Sequence, residues 1–180
     1  MAFNKCDVLG ACDYIFGGMI AVFNECNLVM NTSDASADVA YITAAQQAGG
    51  RGYLMYNCTI TSTTPGVDTA SEFGSKPGYL GRPWQANTSE VVFYNTIIEA
   101  ACEEYGEESL IVAAAWLSSL GGESAGMYEF GTVEKAGVDN LADRAAWSTV
   151  LEKAVLNDGT DISTKEKAFA AFLGEWNPFE

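Results

Sequence analysis

Hydrophobic and polar positions in the first hundred residues fall into a loose repeat. Phe23-Asn24-Glu25-Cys26-Asn27-Leu28 is matched by Met55-Tyr56-Asn57-Cys58-Thr59-Ile60 and by Phe93-Tyr94-Asn95-Thr96-Ile97-Ile98. Asn4-Lys5-Cys6-Asp7-Val8 is a weaker first copy. Aligned in this way, Cys6, Cys26, Cys58 and Thr96 are equivalent, with gaps of 20, 32 and 38 residues. Short alternating strands that end in polar turns and recur with variable insertions predict stacked parallel coils, a β-helix in which equivalent residues form ladders along the axis. Cys6 and Cys26 then lie one coil apart at about the 4.8 Å strand spacing, where they are either disulfide partners or two small buried hydrophobes.

The insertions are polar and glycine-rich. Residues 31–38 and 62–78 read as loops and 46–52 as a glycine turn. Loops of this length over one face of a β-helix form the walls of a groove. Beyond residue 99 comes an acidic stretch at 102–108, then the apolar run 110–116, expected as a buried strand or short helix, and an alternating strand at 127–131. The last fifty residues read as helical. Trp147, Val150, Leu151, Ala154 and Val155 fall on one helical face, and Ser163-Thr164-Lys165-Glu166 has the form of a capping box before a second helix that stops at Gly174. This tail is expected to pack back on the coils, with Trp147, Phe169, Phe172 and Trp176 in the core. The expected organisation is residues 1–131 as coils with groove-forming loops and 132–180 as a helical tail of the same domain.

Composition narrows the function. The 180 residues, 48% of them hydrophobic, suffice for one domain with a core. A net charge of −15, with only nine basic residues, argues against nucleic acid as a partner. No apolar run is long enough to span a membrane, and the N-terminus reads directly into a strand, without a signal peptide. The sequence has no histidine, which excludes a Ser-His-Asp triad, a Cys-His pair and histidine metal ligands. The five cysteines lack metal-site spacing. No cofactor and no metal is expected, and any hydrolytic chemistry falls to carboxylates.

Two segments offer that chemistry. In Gly10-Ala11-Cys12-Asp13-Tyr14-Ile15-Phe16-Gly17 a lone carboxylate sits inside a β-branched and aromatic run. Such a charge belongs at a strand edge, in a surface groove or beside a partner. In Leu80-Gly81-Arg82-Pro83-Trp84 an arginine is available for that carboxylate, and a tryptophan is available to stack on a sugar ring or to anchor the loop. If Cys12 and Tyr14 point into the coil, strand alternation turns Asp13 to the groove.

These segments, with Tyr41-Ile42-Thr43-Ala44-Ala45-Gln46 between them, resemble the pectin methylesterase family of carbohydrate esterases, from about Cys6 to the C-terminus. Cys12 and Tyr14 stand where the family has Val and Phe, and Ala115-Trp116 where it has Gly-Trp. The resemblance implies an all-β, right-handed parallel β-helix, here shortened, with a short α-helical C-terminal tail. It implies Asp13 as the nucleophile, Arg82 as the group that holds it ionised and oriented, and Trp84 and Phe16 as substrate-binding aromatics, although Phe16 could equally face the core. The implied reaction removes methyl esters from polygalacturonate, so pectin is the expected partner and the expected location is outside the cell.

The family places its general acid/base Asp and an oxyanion Gln in a Gln-Asp-Thr segment upstream of the nucleophile. Only twelve residues precede Asp13 here, and no Gln-Asp-Thr occurs among the 180. Little or no esterase activity is therefore expected of this polypeptide alone. Its exposed first coil is expected to invite self-association. The alternative from another class is a non-catalytic carbohydrate-binding or interaction module on a β-helix scaffold. A polysaccharide lyase is disfavoured, because neither a calcium-binding carboxylate cluster nor a spare base is evident.

Overall fold

The computed structural model describes residues 1–31, 40–47, 50–62, 77–100 and 109–179. The predicted loops at 31–38 and 62–78 and the acidic stretch at 102–108 lie almost wholly outside the described residues. In chain order the strands are β1 (Ala2–Asn4), β2 (Asp7–Gly10), β3 (Cys12–Gly17), β4 (Ala21–Asn24) and β5 (Asn27–Met30). Next come β6 (Tyr41–Ala45), β7 (Tyr53–Tyr56), β8 (Thr59–Ser62), β9 (Tyr79–Gly81), β10 (Val91–Tyr94) and β11 (Ile97–Ile98). The chain closes with β12 (Met127–Phe130), β13 (Val133–Glu134), β14 (Thr149–Val150) and the helix α1 (Lys165–Leu173).

The strands form three parallel sheets, ordered β1-β4-β7-β10-β12-β14, β13-β11-β8-β5-β2 and β3-β6-β9. This is the parallel β-helix that the repeat predicts. The register carries the aligned residues directly above one another. Asn4, Asn24, Tyr56, Tyr94 and Phe130 are successive partners in the first sheet. The next residue of each coil, Lys5, Glu25, Asn57, Asn95 and Gly131, turns the corner with φ of 53, 53, 52, 50 and 66°. A left-handed conformation costs a non-glycine residue roughly 1–2 kcal/mol. The ladder offsets that cost, since the corner N–H groups of Lys5, Glu25, Asn57 and Asn95 donate to the carbonyls of Asn24, Tyr56, Tyr94 and Phe130 at 2.7–2.9 Å.

Cys6, Cys26 and Cys58 follow those corners, one coil apart, and the described structure carries them as free thiols. The Cys6–Cys26 bridge is therefore not formed here. In-register parallel neighbours hold their Cβ atoms near the strand spacing of about 4.8 Å, wider than the ~3.8 Å that a disulfide favours.

Alternation in the first sheet is apolar on both faces. Phe23, Met55 and Phe93 point into the coil, while Val22, Leu54 and Val92 point outward and are also fully buried. The outer face is covered by the C-terminal tail through Leu156, Ile162, Ala168, Phe169 and Phe172. The tail thus packs back on the coils as expected, but only α1 is an α-helix among the described residues. Residues 144–155, read from sequence as an amphipathic helix, instead follow a 3-10 turn (Leu141–Asp143), and within them Thr149–Val150 pair as β14 with β12. Two causes act together. Thr149 and Val150 are better suited to a strand than to a helix. Arg144 is drawn into the end of the coil, where it donates to Glu129 Oε1 at 2.9 Å, to Asn140 Oδ1 at 2.8 Å and to the Ala113 carbonyl at 3.1 Å. Trp147 packs against the interior core as expected. Trp176 lies past the helix stop and is exposed, contrary to expectation. The N-cap of α1 is Thr164, one residue later than the capping box suggests, and Gly174 closes the helix at φ 66°.

Candidate functional site

The site begins with an irregularity in β3. Cys12 is opposite Tyr41 and Ile15 opposite Thr43, so Asp13 and Tyr14 together face the single residue Ile42. This is a β-bulge, and Asp13 adopts the left-handed region at φ 50°. Alternation is therefore broken. Ile15 is buried, Tyr14 packs against the core, and Cys12 and Phe16 are exposed. The condition of an inward Cys12, under which alternation alone would turn Asp13 to the groove, is not met, because the extra residue turns Cys12 and Asp13 to the same outer side. Gly10 is required below the bulge, since a Cβ there would lie 2.2 Å from that of Tyr14.

Arg82 arrives from the segment after β9. Its N–H donates to the Thr43 carbonyl and that of Trp84 to the Ala45 carbonyl, both at 2.9 Å, so the Arg-Pro-Trp stretch runs on beside β6. Gly81 permits this approach, because an added Cβ would meet Thr43 Oγ1 at 2.0 Å and the Thr43 carbonyl oxygen at 2.5 Å. On the other side the Gly121 N–H donates to the Pro83 carbonyl at 2.9 Å.

The guanidinium and the carboxylate meet as a fork. Arg82 Nε donates to Asp13 Oδ1 at 2.9 Å and Nη2 to Oδ2 at 2.7 Å. Both side chains are largely buried, and the guanidinium carbon sits 4.0 Å from the centre of the Tyr41 ring. The hydrogen bonds to Asp13 raise the Arg82 pKa further above its ordinary value, against the opposing effect of burial. Arg82 also donates to Ser119 Oγ at 3.4 Å and to Cys12 Sγ at 3.4 Å. The Cys12 thiol in turn lies 3.8 Å from Asp13 Oδ2. Burial, then the charge of Asp13, pushes the thiol pKa up, while Arg82 pulls it down.

Beside this pair Phe16 and Trp84 form an exposed aromatic shelf, their ring centres 6.0 Å apart and tilted by 35°. Of the two orientations open to Phe16, the structure shows the outward one. All four predicted site residues, Asp13, Arg82, Trp84 and Phe16, thus come together in one place. Sequence reasoning missed Tyr41 beneath the guanidinium and Ser119 beside it, and it misplaced Cys12. The stacked pair Tyr41 and Tyr79 was visible in the motif strands, whereas a bulge at Asp13 leaves no periodic signal. Among the described residues no group of three His, Cys, Asp or Glu side chains is placed to hold a metal ion. No described helix is long and apolar enough to cross a membrane.

Comparison with known proteins gives the family and the fold. A sequence model of the pectinesterase family matches residues 2–161. The chain is 26% identical over 159 residues to "Probable pectinesterase/pectinesterase inhibitor 64" of Arabidopsis thaliana, a match covering 82% of this chain and 24% of that protein. It is 30% identical over 129 residues to "Pectinesterase A" of Emericella nidulans, covering 72% of this chain and 34% of that protein. Among solved structures, the pectin methylesterase from carrot aligns with a TM-score of 0.62 at 19% identity, over 85% of this chain and 46% of that one. The pectin methylesterase from Aspergillus niger aligns with a TM-score of 0.57 at 22% identity, over 97% and 47%. These structures show the shared fold. The chain spans about a quarter to a third of the length of these curated relatives, and about half of the solved chains.

Proposed function

The chain belongs to the pectinesterase family, and on that premise we propose that it carries the nucleophile of a carboxylic ester hydrolase that removes methyl esters from polygalacturonate. The observation that carries the proposal is the forked Asp13–Arg82 pair beside the exposed Phe16–Trp84 shelf. A bidentate guanidinium keeps a carboxylate ionised and fixes its plane. It occupies one lone pair on each oxygen and leaves the others free to attack. In this reading Asp13 adds to the ester carbonyl, the C–OCH3 bond breaks with protonation of the departing methoxide, and water then hydrolyses the resulting acyl-Asp13 anhydride. Trp84 and Phe16 present ring faces to the galacturonate units, and pectin, outside the cell, is the substrate. Work on relatives includes a pectin methylesterase solved "in complex with hexasaccharide VII".

The polypeptide of 180 residues alone is a weak esterase in this proposal. It holds no Gln-Asp-Thr segment for the acid/base and oxyanion roles, and among the described residues the contacts of the Asp13 carboxylate are Arg82 and the Cys12 thiol rather than a second carboxylate. Exposed Met1, Leu9 and Ile20 at the first coil are the proposed surface for self-association of this polypeptide. A non-catalytic carbohydrate-binding module is the second reading, favoured by the solvent-facing aromatic shelf.

Methanol release from highly methylated pectin, for the wild-type chain beside Asp13→Asn, with pectin binding measured for Trp84→Ala, tests both. Release that Asp13→Asn abolishes supports the esterase. Binding that depends on Trp84, with no release from a folded chain, supports the binding module. Neither release nor binding would refute both.

A further inference from the structure

We propose that the Cys12 thiol is a catalytic residue of this site, donating the proton to the departing methanol and taking one back from the hydrolytic water. The inference rests on the esterase reading above. Expulsion of methoxide from a tetrahedral intermediate requires a proton donor within reach of the reacting carbon. That carbon becomes bonded to an oxygen of Asp13. Among the described residues Cys12 is the side chain that touches both members of the pair, 3.8 Å from Asp13 Oδ2 and 3.4 Å from Arg82 Nη2. The β-bulge places it there, by turning two consecutive residues to the same outer side instead of to opposite faces. The thiol is solvent-exposed, so an ester laid along the Phe16–Trp84 shelf has access to it.

The step balances. Asp13 Oδ forms a bond to the ester carbonyl carbon. When the intermediate collapses, the C–OCH3 electron pair goes to the methoxy oxygen, which takes the S–H proton and leaves as methanol. The thiolate remains beside the Arg82 guanidinium. Water then adds to the galacturonoyl carbon and gives its proton to the thiolate, the bond to Asp13 breaks, and its electron pair restores the carboxylate. The sum is ester plus water to carboxylic acid plus methanol.

The charges that face Cys12 favour this timing. Among the described residues they are Asp13 on its own strand and Arg82 from the segment after β9, with Tyr41 of β6 beneath the guanidinium. At rest the Asp13 charge opposes thiol ionisation and Arg82 favours it. Attack on the ester carries the negative charge of Asp13 onto the former carbonyl oxygen and leaves the positive charge of Arg82 in place beside the thiol. Cys12 therefore becomes a stronger acid in the step that needs its proton.

The test compares wild type, Cys12→Val, Cys12→Ser and Asp13→Asn of this chain for methanol release from highly methylated pectin, with thermal unfolding as the check on folding. Asp13→Asn should abolish release. Both Cys12 variants should unfold at the wild-type temperature and lose release at least tenfold, serine failing because a hydroxyl is too weak an acid. A second readout is alkylation of Cys12 followed by peptide mass mapping against pH. The reactive limb should move to lower pH in Asp13→Asn, where the facing charge is gone. Wild-type release in Cys12→Val, with none in Asp13→Asn, would overturn the thiol's role and leave the esterase reading intact. No release by wild type would also overturn it, and Trp84-dependent pectin binding would then decide the fate of the wider reading. Loss of pectin binding in Cys12→Val would reassign the thiol to binding, and an unshifted alkylation profile would contradict the proposed coupling.

Discussion

Arg144→Met should be the most damaging single substitution far from the candidate site. Arg144 is 3% exposed and lies between Glu129, at 1%, and Glu134, at 4%. It forks onto Glu129 at 2.9 and 3.3 Å, reaches Glu134 at 3.4 Å and also binds Asn140 and the Ala113 carbonyl. Methionine fills much of the volume but leaves two buried carboxylates without a cation. Breaking such a network from one side costs about 3–5 kcal/mol. For a chain of this size each kcal/mol lowers Tm by about 2–4 °C, so the loss should be roughly 6–20 °C. Glu129 occupies the inward position held by Phe93 in the preceding coil, where an apolar side chain fits. The double variant Arg144→Met/Glu129→Met should therefore recover most of the loss, with Glu134 still held by the Ser109 hydroxyl. Thermal and urea unfolding of the two singles and the double give the coupling directly. A Tm for Arg144→Met within about 2 °C of wild type, or a double no more stable than the single, would refute the reasoning.

Gly81→Ala should cost about 1–3 kcal/mol, because its Cβ would be driven into Thr43 and displace the segment that carries Arg82; urea unfolding checks this, and an unchanged midpoint would contradict it. Glu90 gives a pH dependence. Burial raises its carboxyl above the ordinary 4.5, against the opposing pull of Arg51 and the Gly52 N–H. A folded pKa above the unfolded one means that its stabilising contribution is present at low pH and is lost as pH rises through the folded value. Wild type should thus lose stability relative to Glu90→Gln as pH rises above 4.5, read as the difference in Tm across a pH series. Trp84→Ala should weaken pectin binding by about tenfold, the ~1–3 kcal/mol of a lost aromatic platform being partly retained by Phe16; calorimetric titration with pectin fragments measures it.

The coil architecture was legible because a ladder imposes the same demand at each level. Every coil needs an inward hydrophobe, a corner tolerant of positive φ and a following small residue, and the repeat around Cys6, Cys26, Cys58 and Thr96 displays all three. The site was legible as residue types, since a carboxylate in an apolar strand and an arginine beside a tryptophan are each unusual. Its geometry was not. One extra residue at Asp13–Tyr14 inverts the facing of Cys12, and hydrophobic alternation holds no record of such an insertion. The tail was misread for a related reason. Residues 144–155 carry helical spacing, but the buried demand of Glu129 and Glu134 for a cation, together with strand pairing to β12, overrides local propensity.

The role of Asp13 as the nucleophile is decided by the methanol released from highly methylated pectin by the purified chain and by Asp13→Asn at equal concentration. The expected result is slow release by the wild-type chain, well below that of an intact pectin methylesterase, and none by the asparagine variant with its fold unchanged. Equal release by both proteins would contradict it.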